Sequence, residues 1–503
     1  MTASTRHRAL AALAGLTAST VVCANVDDRD WCITYTDHFE MVSDLPRERA
    51  LELVVQLDRF RSAASALLPG GSREAAPPIK LVAFQRARDF ATVFNSTHVA
   101  GFTRPSLDQS LLASGPDPNG EHLNRNIFHE YVHYLVRSRA TLNLPIWYEE
   151  GFASYLSTLS IDPAGVVTVG RIPYAYLRGV LLLPGLSIPD VIAERFRLDP
   201  RRHDLSDVYG LAWAIVRFLH HAEDDNGERY ASRLKDMLTA IDEGLSSEEA
   251  MESTLGLDTE GLKRRLRNYY DKDQLPVFQF RTETRDRMAF RRDCLDPVDT
   301  RKHLAEVAAL HNPRFASQLY DSILAEKPDD VDALVGLSRI VSGSRSLELA
   351  RRAYRIDPKH PAAIVRMAEI EVGACQSNSA DCGDALVNAI DLYTEALASS
   401  RHRVAAAYGL GILSLYVDRP VDALEYLRAA YARAPWSPQI HYYLGEAYVR
   451  SGESKRAVPH LRKTAYWHPV ESWRQRARQV LARLGEEPAR VDPPRINPLQ
   501  SVP

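Results

Sequence analysis

The sequence predicts an α+β domain followed by an all-α repeat solenoid, and three observations predict it. Short β-branched runs alternate with helical patterns through the first half of the chain. Two histidines four residues apart, His129 and His133, sit in a mostly apolar helical stretch, Asn126–Leu135. From about His303 onward, small, apolar and proline positions recur every 34 residues, as in Leu410-Gly411 and Leu444-Gly445.

Size and composition set the frame. A chain of 503 residues exceeds one ordinary core, so two or three domains are expected. Hydrophobic content of 45% and charged content of 25% are those of a soluble globular protein. The net charge of -3 and the lack of a long basic run argue against nucleic acid as a partner. No apolar segment reaches the roughly 20 residues that span a bilayer, so no transmembrane helix is expected.

Residues 1–24 read as a cleavable signal peptide. Arg6 and Arg8 precede the uncharged run Ala9–Val22, and Val22-Cys23-Ala24 fits a signal-peptidase site. A lipid anchor at Cys23 ranks second, because Val22 is larger than the small residue that lipidation wants. The chain is therefore expected in a periplasm or outside the cell. Removing Cys23 leaves Cys32, Cys294, Cys375 and Cys382, an even number that suits an oxidising compartment. Cys375 and Cys382 bracket a polar loop and form the preferred local pair, which leaves Cys32 for Cys294.

The first domain is expected over 25–275. Trp31–Phe39 alternates like a half-buried strand. A helix opens at Ser43-Asp44 and runs to about Leu68, with Leu51, Val54, Val55, Leu57, Phe60 and Leu67 as its apolar positions. Ile79–Phe84 is a second strand and Ala87–Phe94 a short helix. Ala100–Phe102 and Gln109–Ser114 are further strands before the His129 helix. A helix through Phe152 and Leu156 follows, then a strand at Val166–Gly170, an apolar run at Leu181–Leu183 and a helix from Ser187. Asp207–Leu219 is a strongly apolar helix, and Gly227–Asp242 and Ser246–Asp271 add two more. Residues 276–300 read as a polar connector.

The repeats are expected over 301–488. Ala423 and Ala457, Leu427 and Leu461, and Pro435 and Pro469 all keep the 34-residue interval. That is the tetratricopeptide period with its small, apolar and proline positions in place, so the solenoid should offer a surface for a protein partner. Degraded units show in Ala316, Tyr320 and Pro328, in Ala350, Ala353 and Pro358, and in Ala389, Tyr393 and Ala396. The proline-rich end, 489–503, reads as an unstructured tail.

The chemistry concentrates in His129-Glu-Tyr-Val-His133. Residues four apart on a helix project from one face about a turn apart, the spacing at which one zinc ion takes two imidazole nitrogens. Glu130, between them, stands where a general base would. Glu150 is the proposed third ligand, with sixteen residues between it and His133. Adjacent Glu149 competes for that role, and the glycine after Glu150 favours Glu150. Glu149 is then a supporting or surface carboxylate. Burying these groups in an apolar helix without a metal would cost several kcal/mol.

His129–His133 together with Trp147-Tyr-Glu-Glu150-Gly-Phe-Ala-Ser-Tyr155 resembles the gluzincins, zinc metallopeptidases of the peptidase MA-like type. The resemblance implies a zincin-like metallopeptidase domain that carries one Zn2+ per chain on His129, His133 and Glu150. The interval from His133 to Glu150 is slightly shorter than the aminopeptidase pattern, and no Gly-Ala-Met-Glu-Asn-type segment precedes the motif. Recognition of a free substrate amine is therefore not implied, and an endopeptidase acting on peptides or proteins is expected. The family's helix with a transition-state tyrosine matches Tyr209, which packing in the core would explain equally well. His98 and His203 read as loop histidines. Two other readings stand beside the peptidase: a non-enzymatic repeat adaptor with a vestigial or structural zinc site, and a zinc hydrolase of non-peptide amides.

Overall fold

The computed structural model describes residues 25–486 apart from 69–77, 97–100, 105–106, 108, 118–121, 140–143, 163, 173–186, 195–204, 273–274, 283–288, 378–381, 400–401 and 469. The expected signal segment with Cys23, His98, Leu181–Leu183, His203 and the tail 489–503 lie outside the described residues.

Nine strands are described: β1 (Cys32–Tyr35), β2 (Phe39–Ser43), β3 (Ile79–Ala83), β4 (Gly101–Arg104), β5 (Leu111–Ser114), β6 (Ser160–Ile161), β7 (Val166–Val169), β8 (Phe278–Arg281) and β9 (Arg291–Cys294). Six of them form a mixed sheet in the order β4-β5-β3-β2-β1-β9. Strands β2, β3 and β5 run parallel, and β4, β1 and β9 pair antiparallel at the flanks.

Alternation along the strands sends side chains to two separate cores. Met41, Leu81 and Leu112 face one way and pack with α1 (Arg47–Leu67) through Leu53, Leu57 and Phe60. Val42, Val82 and Ala113 face the other way, toward α2 (Ala87–Phe94) and toward Val298, Leu304, Ala308 and Tyr320 of the first repeat. The first repeat is thus the second lid of the sheet. Lys80 adds an ion pair to Glu306 at 2.6 Å across that junction.

Three expectations are corrected. The strand expected over Trp31–Phe39 is a hairpin, because Thr36 Oγ1 accepts from the backbone N–H groups of His38 (3.2 Å) and Phe39 (2.9 Å) and turns the chain. The helix expected over Ser246–Asp271 is two helices, Ser247–Leu255 and Thr259–Tyr270. Gly256 ends the first in the left-handed region at φ 66°, and Asp258 caps the second. Likewise the stretch Gly227–Asp242 is helical only from Leu234, after a 3-10 turn over Tyr230–Arg233.

The stretch expected as a connector, 276–300, is built into both sheets. Strand β8 pairs with β7, and β9 pairs with β1 in a register that sets Cys32 opposite Cys294. Those two cysteines are joined, with an S–S distance of 2.06 Å across 262 residues of sequence. The Arg291 guanidinium lies over the Tyr35 ring at 4.3 Å, and Arg292 donates to Thr34 Oγ1 and to the Leu45 carbonyl. Cys382 is also disulfide-bonded, while the side chain of Cys375, its expected partner, lies outside the described residues.

The repeat region starts at Pro297, slightly before the expected boundary. Among the described residues it comprises five antiparallel helix pairs and a final helix. The pairs are Pro297–Ala308 with Pro313–Glu326, Val331–Ile340 with Gly343–Ile356, and Pro361–Ser377 with Gly383–Ala396; Arg403–Tyr416 with Pro420–Arg433 and Pro438–Arg450 with Ser454–Trp467 follow, before Glu471–Arg483. Glycine lets the paired helices meet closely: a Cβ on Gly411 or Gly445 would sit 2.5 or 2.7 Å from Cγ of Leu427 or Leu461. The fourth and fifth pairs return to the first domain, where Val404, Ala430, Trp436, Ile440 and Tyr466 join the core that holds Tyr134 and Leu135. Among the described residues, no helix is long and apolar enough to cross a membrane.

Candidate metal centre

Helix α3 (Leu123–Arg139) is oriented by its apolar side. Phe128 stacks on Phe60 at 4.3 Å, Tyr131 meets the edge of Phe39 at 5.5 Å, and Ile127, Val132 and Leu135 are buried. With that side fixed, His129 and His133 share the face turned toward α4 (Ile146–Ser157). Helix α4 lies against α6 (Leu205–His221), the apolar helix of the sequence, which follows the short α5 (Ile188–Ile192).

The close packing of α4 on α6 depends on Gly151. A Cβ there would sit 2.4 Å from the Ala212 carbonyl oxygen and 2.7 Å from Val216 Cγ2. Gly151→Ala is expected to destabilise the fold by about 2–3 kcal/mol, because backbone rather than a flexible side chain must give way. The shift would also move Glu150 relative to His129 and His133. Urea unfolding checks the loss of stability, and a variant as stable as the parent would refute the packing argument.

The two helices bring the three expected donors together. His129 Nε2 and His133 Nε2 are 3.2 Å apart, and each lies 3.3 Å from Glu150 Oε2. Zinc bonds of 2.0–2.1 Å at tetrahedral angles place neighbouring donors about 3.3–3.4 Å apart, so the trio fits one face of such a tetrahedron. Among the described residues, these three form the one cluster of His, Cys, Asp and Glu able to hold a metal.

Glu149, 1% exposed, supports this trio from behind. Its Oε1 lies 2.7 Å from His133 Nδ1 and 3.2 Å from Arg137 Nε. A carboxylate only accepts, so Nδ1–H donates and Nε2 keeps its lone pair for a metal. Ser154 Oγ is 3.4 Å from His129 Nδ1. Burial alone would disfavour a charged His133, but the carboxylates of Glu150 and Glu149 lift its pKa to about 10. Burial works against ionised Glu150 as well, yet His133 and His129 hold its carboxyl well below the usual range. Buried His133 and half-buried Glu150 thus form an ion pair, and a divalent cation would take the place of its proton.

Glu130 is half-buried beside β4. A Cβ on Gly101 would lie 3.1 Å from Glu130 Cγ, and Thr103 Oγ1 donates to the Glu130 carbonyl at 2.6 Å. Tyr209, on α6, has its ring 6.0 Å from that of His129, so the structure brings it to the same place. Tyr148 and Tyr155 project to the far side of α4, where their hydroxyls meet His220 Nε2 at 3.1 Å and His221 Nε2 at 2.8 Å.

A tetratricopeptide-repeat family profile matches residues 414–484. The C-terminal region is a tetratricopeptide-repeat solenoid. Among solved structures, a thermophilic tetratricopeptide protein of Thermus thermophilus, TTC0263, is 20% identical, with 37% of this chain and 99% of that one covered at a TM-score of 0.32. The protein MamA is 17% identical, with 37% of this chain and 94% of that one covered at a TM-score of 0.25. No curated protein matches the chain. The N-terminal region is α/β.

Sequence reasoning does not find Arg137, Ser154 or the part played by Glu194, described below. Arg137 sits one turn beyond His133, so its spacing is a usable signal. Ser154, four residues after Glu150, is a similar one. Glu194 meets its partner 48 residues away, and no local pattern announces that.

Proposed function

We propose that this chain is an exported zinc-dependent peptidase whose repeat domain binds protein partners or substrates. The observation that carries the reading is the 3.2–3.3 Å triangle of His129 Nε2, His133 Nε2 and Glu150 Oε2, with Glu130 next to His129 in sequence. The resemblance of these residues to the gluzincin pattern points the same way. Bound there, zinc would supply Lewis-acid polarisation of a carbonyl and acidify a water.

The chain's own residues account for the rest. His129, His133 and Glu150 would hold the ion, and Glu149 fixes the His133 tautomer. Glu130 takes the proton from the attacking water and passes it to the leaving amine. Tyr209, whose ring lies 6.0 Å from that of His129, is the candidate donor toward a developing oxyanion. Among the described residues β4 ends the sheet order, so an extended peptide could add to it as a further strand. That favours a peptide substrate over a small amide.

A second reading has its own observation. The family match covers repeats alone, which supports a non-enzymatic adaptor whose metal site is structural. Metal analysis of the purified chain, followed by a peptide-library digest with and without chelator, separates the two. The peptidase reading expects one zinc per chain and chelator-sensitive internal cleavage. One zinc without cleavage favours the adaptor, and no zinc overturns the metal site itself.

A further inference from the structure

The fifth helix pair and the residue just ahead of it reach the two helices that carry the candidate metal ligands by three routes, two of them to α3 directly and one to α4 through Glu194. Trp436, just ahead of that pair and 4% exposed, packs at 5.8 Å on Tyr134, the residue after His133. Lys463 Nζ donates to the Arg137 carbonyl at 3.3 Å in the last turn of α3, where unsatisfied carbonyls favour a cation. The same Arg137 reaches Glu149 with its side chain, and Glu149 holds His133.

The third route runs through Glu194. The N-cap of α4 is Pro145, which has no side-chain acceptor to offer, so the first N–H of the helix needs a partner from elsewhere. Glu194 Oε1 accepts from Ile146 N at 2.6 Å and lies 3.5 Å from the Tyr466 hydroxyl of the fifth pair. Glu194 is 5% exposed and holds φ at 56°, a left-handed conformation that strains a side-chain-bearing residue and suits glycine. Retaining a buried carboxylate in that backbone state indicates that its side chain is needed there. A negative group is also favourable at a helix N-terminus. Glu150 lies one turn beyond Ile146 on the same helix.

We infer that Glu194 and Arg137 are positioning residues for the metal centre, and that the fifth repeat, through Tyr466 and Lys463, holds them in place. The inference rests on the zinc reading of the His129–His133–Glu150 trio. It makes the last full repeat a working part of the site, so a partner that displaces this repeat would loosen the metal.

The test uses the full chain and two readouts. Zinc affinity is measured by competition with a chelator, and amide exchange over residues 146–150 is measured in chelator-treated protein. Glu194→Ala should weaken zinc binding about ten- to a hundredfold, the usual effect of removing a group that orients a ligand. It should also speed exchange over 146–150. Glu194→Gln, which keeps an acceptor oxygen for Ile146 N, should restore most of both. Tyr466→Phe combined with Lys463→Met changes one hydroxyl and one ammonium at the edge of the repeat and should weaken zinc about tenfold. Parent-like zinc affinity and exchange in both the Glu194→Ala and the double variant would overturn the inference, whatever happens to overall stability. A parent chain that takes up no zinc would instead overturn the metal reading. Exchange over 146–150 then decides the positioning role by itself, and unchanged exchange refutes it.

Discussion

Glu130→Gln should cut peptide cleavage by about a hundred- to ten-thousandfold while zinc stays bound at one per chain. Glutamine has nearly the same shape, so the contact between the side-chain stem and Gly101 survives. The three donors are untouched, because Glu130 is not one of them. Only the ability to accept a proton is lost. The loss should fall on turnover rather than on substrate binding, since the proton moves in the chemical step. Single-turnover cleavage of a peptide found in the library digest, with zinc counted in parallel, provides the measurement. Full activity in this variant would remove Glu130 from the mechanism.

The second large effect concerns acid. His220, His311, His460 and His468 are pushed down by burial to about 4, and His221 to about 3. Their ordinary value is 6.5, so between 6.5 and 4 the unfolded chain takes up protons that the native one refuses. The contribution of these five histidines is therefore complete above about pH 6.5 and is lost as the pH falls toward 4. For His220, sandwiched against Phe152 and Tyr155, the displacement corresponds to at most roughly 3 kcal/mol. Asp44 opposes this trend, because burial raises it to about 6 and its native state gains a proton in the same window. Five histidines against one aspartate leave a net loss. Urea unfolding at pH 7, 5.5 and 4.5, with chelator present throughout, should show falling stability, and His220→Phe should flatten part of the slope. A stability that holds level from pH 7 to 4.5 would contradict this account.

The features legible in the sequence are those encoded locally. Two histidines four apart and an acidic pair on the next helix require only helical periodicity to be recognised. The 34-residue register announces the solenoid for the same reason. Strands β8 and β9 are mostly exposed edge strands of four residues each: Arg291–Cys294 carries charge in place of an apolar alternation, and the alternation of Phe278–Arg281 is too short to stand out from a polar stretch. They are strands only because β7 and β1 are there to pair with them. The two ends of Glu194's hydrogen bonding, Ile146 and Tyr466, are equally remote in sequence. The glycine after Glu150 marks the candidate ligand in the sequence pattern, and its physical role is different: it lets α4 approach α6. Sequence leaves Glu149 between a supporting and a surface role, and burial decides for the first.

One consequence concerns synthesis and dissection of the chain. Strand β1 gains its outer neighbour, and Cys32 its partner, only when residue 294 has been made. The first strand of the fold must therefore wait, with one edge open, until Cys294, 262 positions further along the chain, has emerged. A fragment cut at residue 275 would carry that open edge permanently, with a lone thiol beside it and one face of the sheet stripped of Val298, Leu304 and Tyr320. Such a fragment should aggregate through its raw edge. The smallest autonomous piece of this protein extends past the point where its sequence changes character.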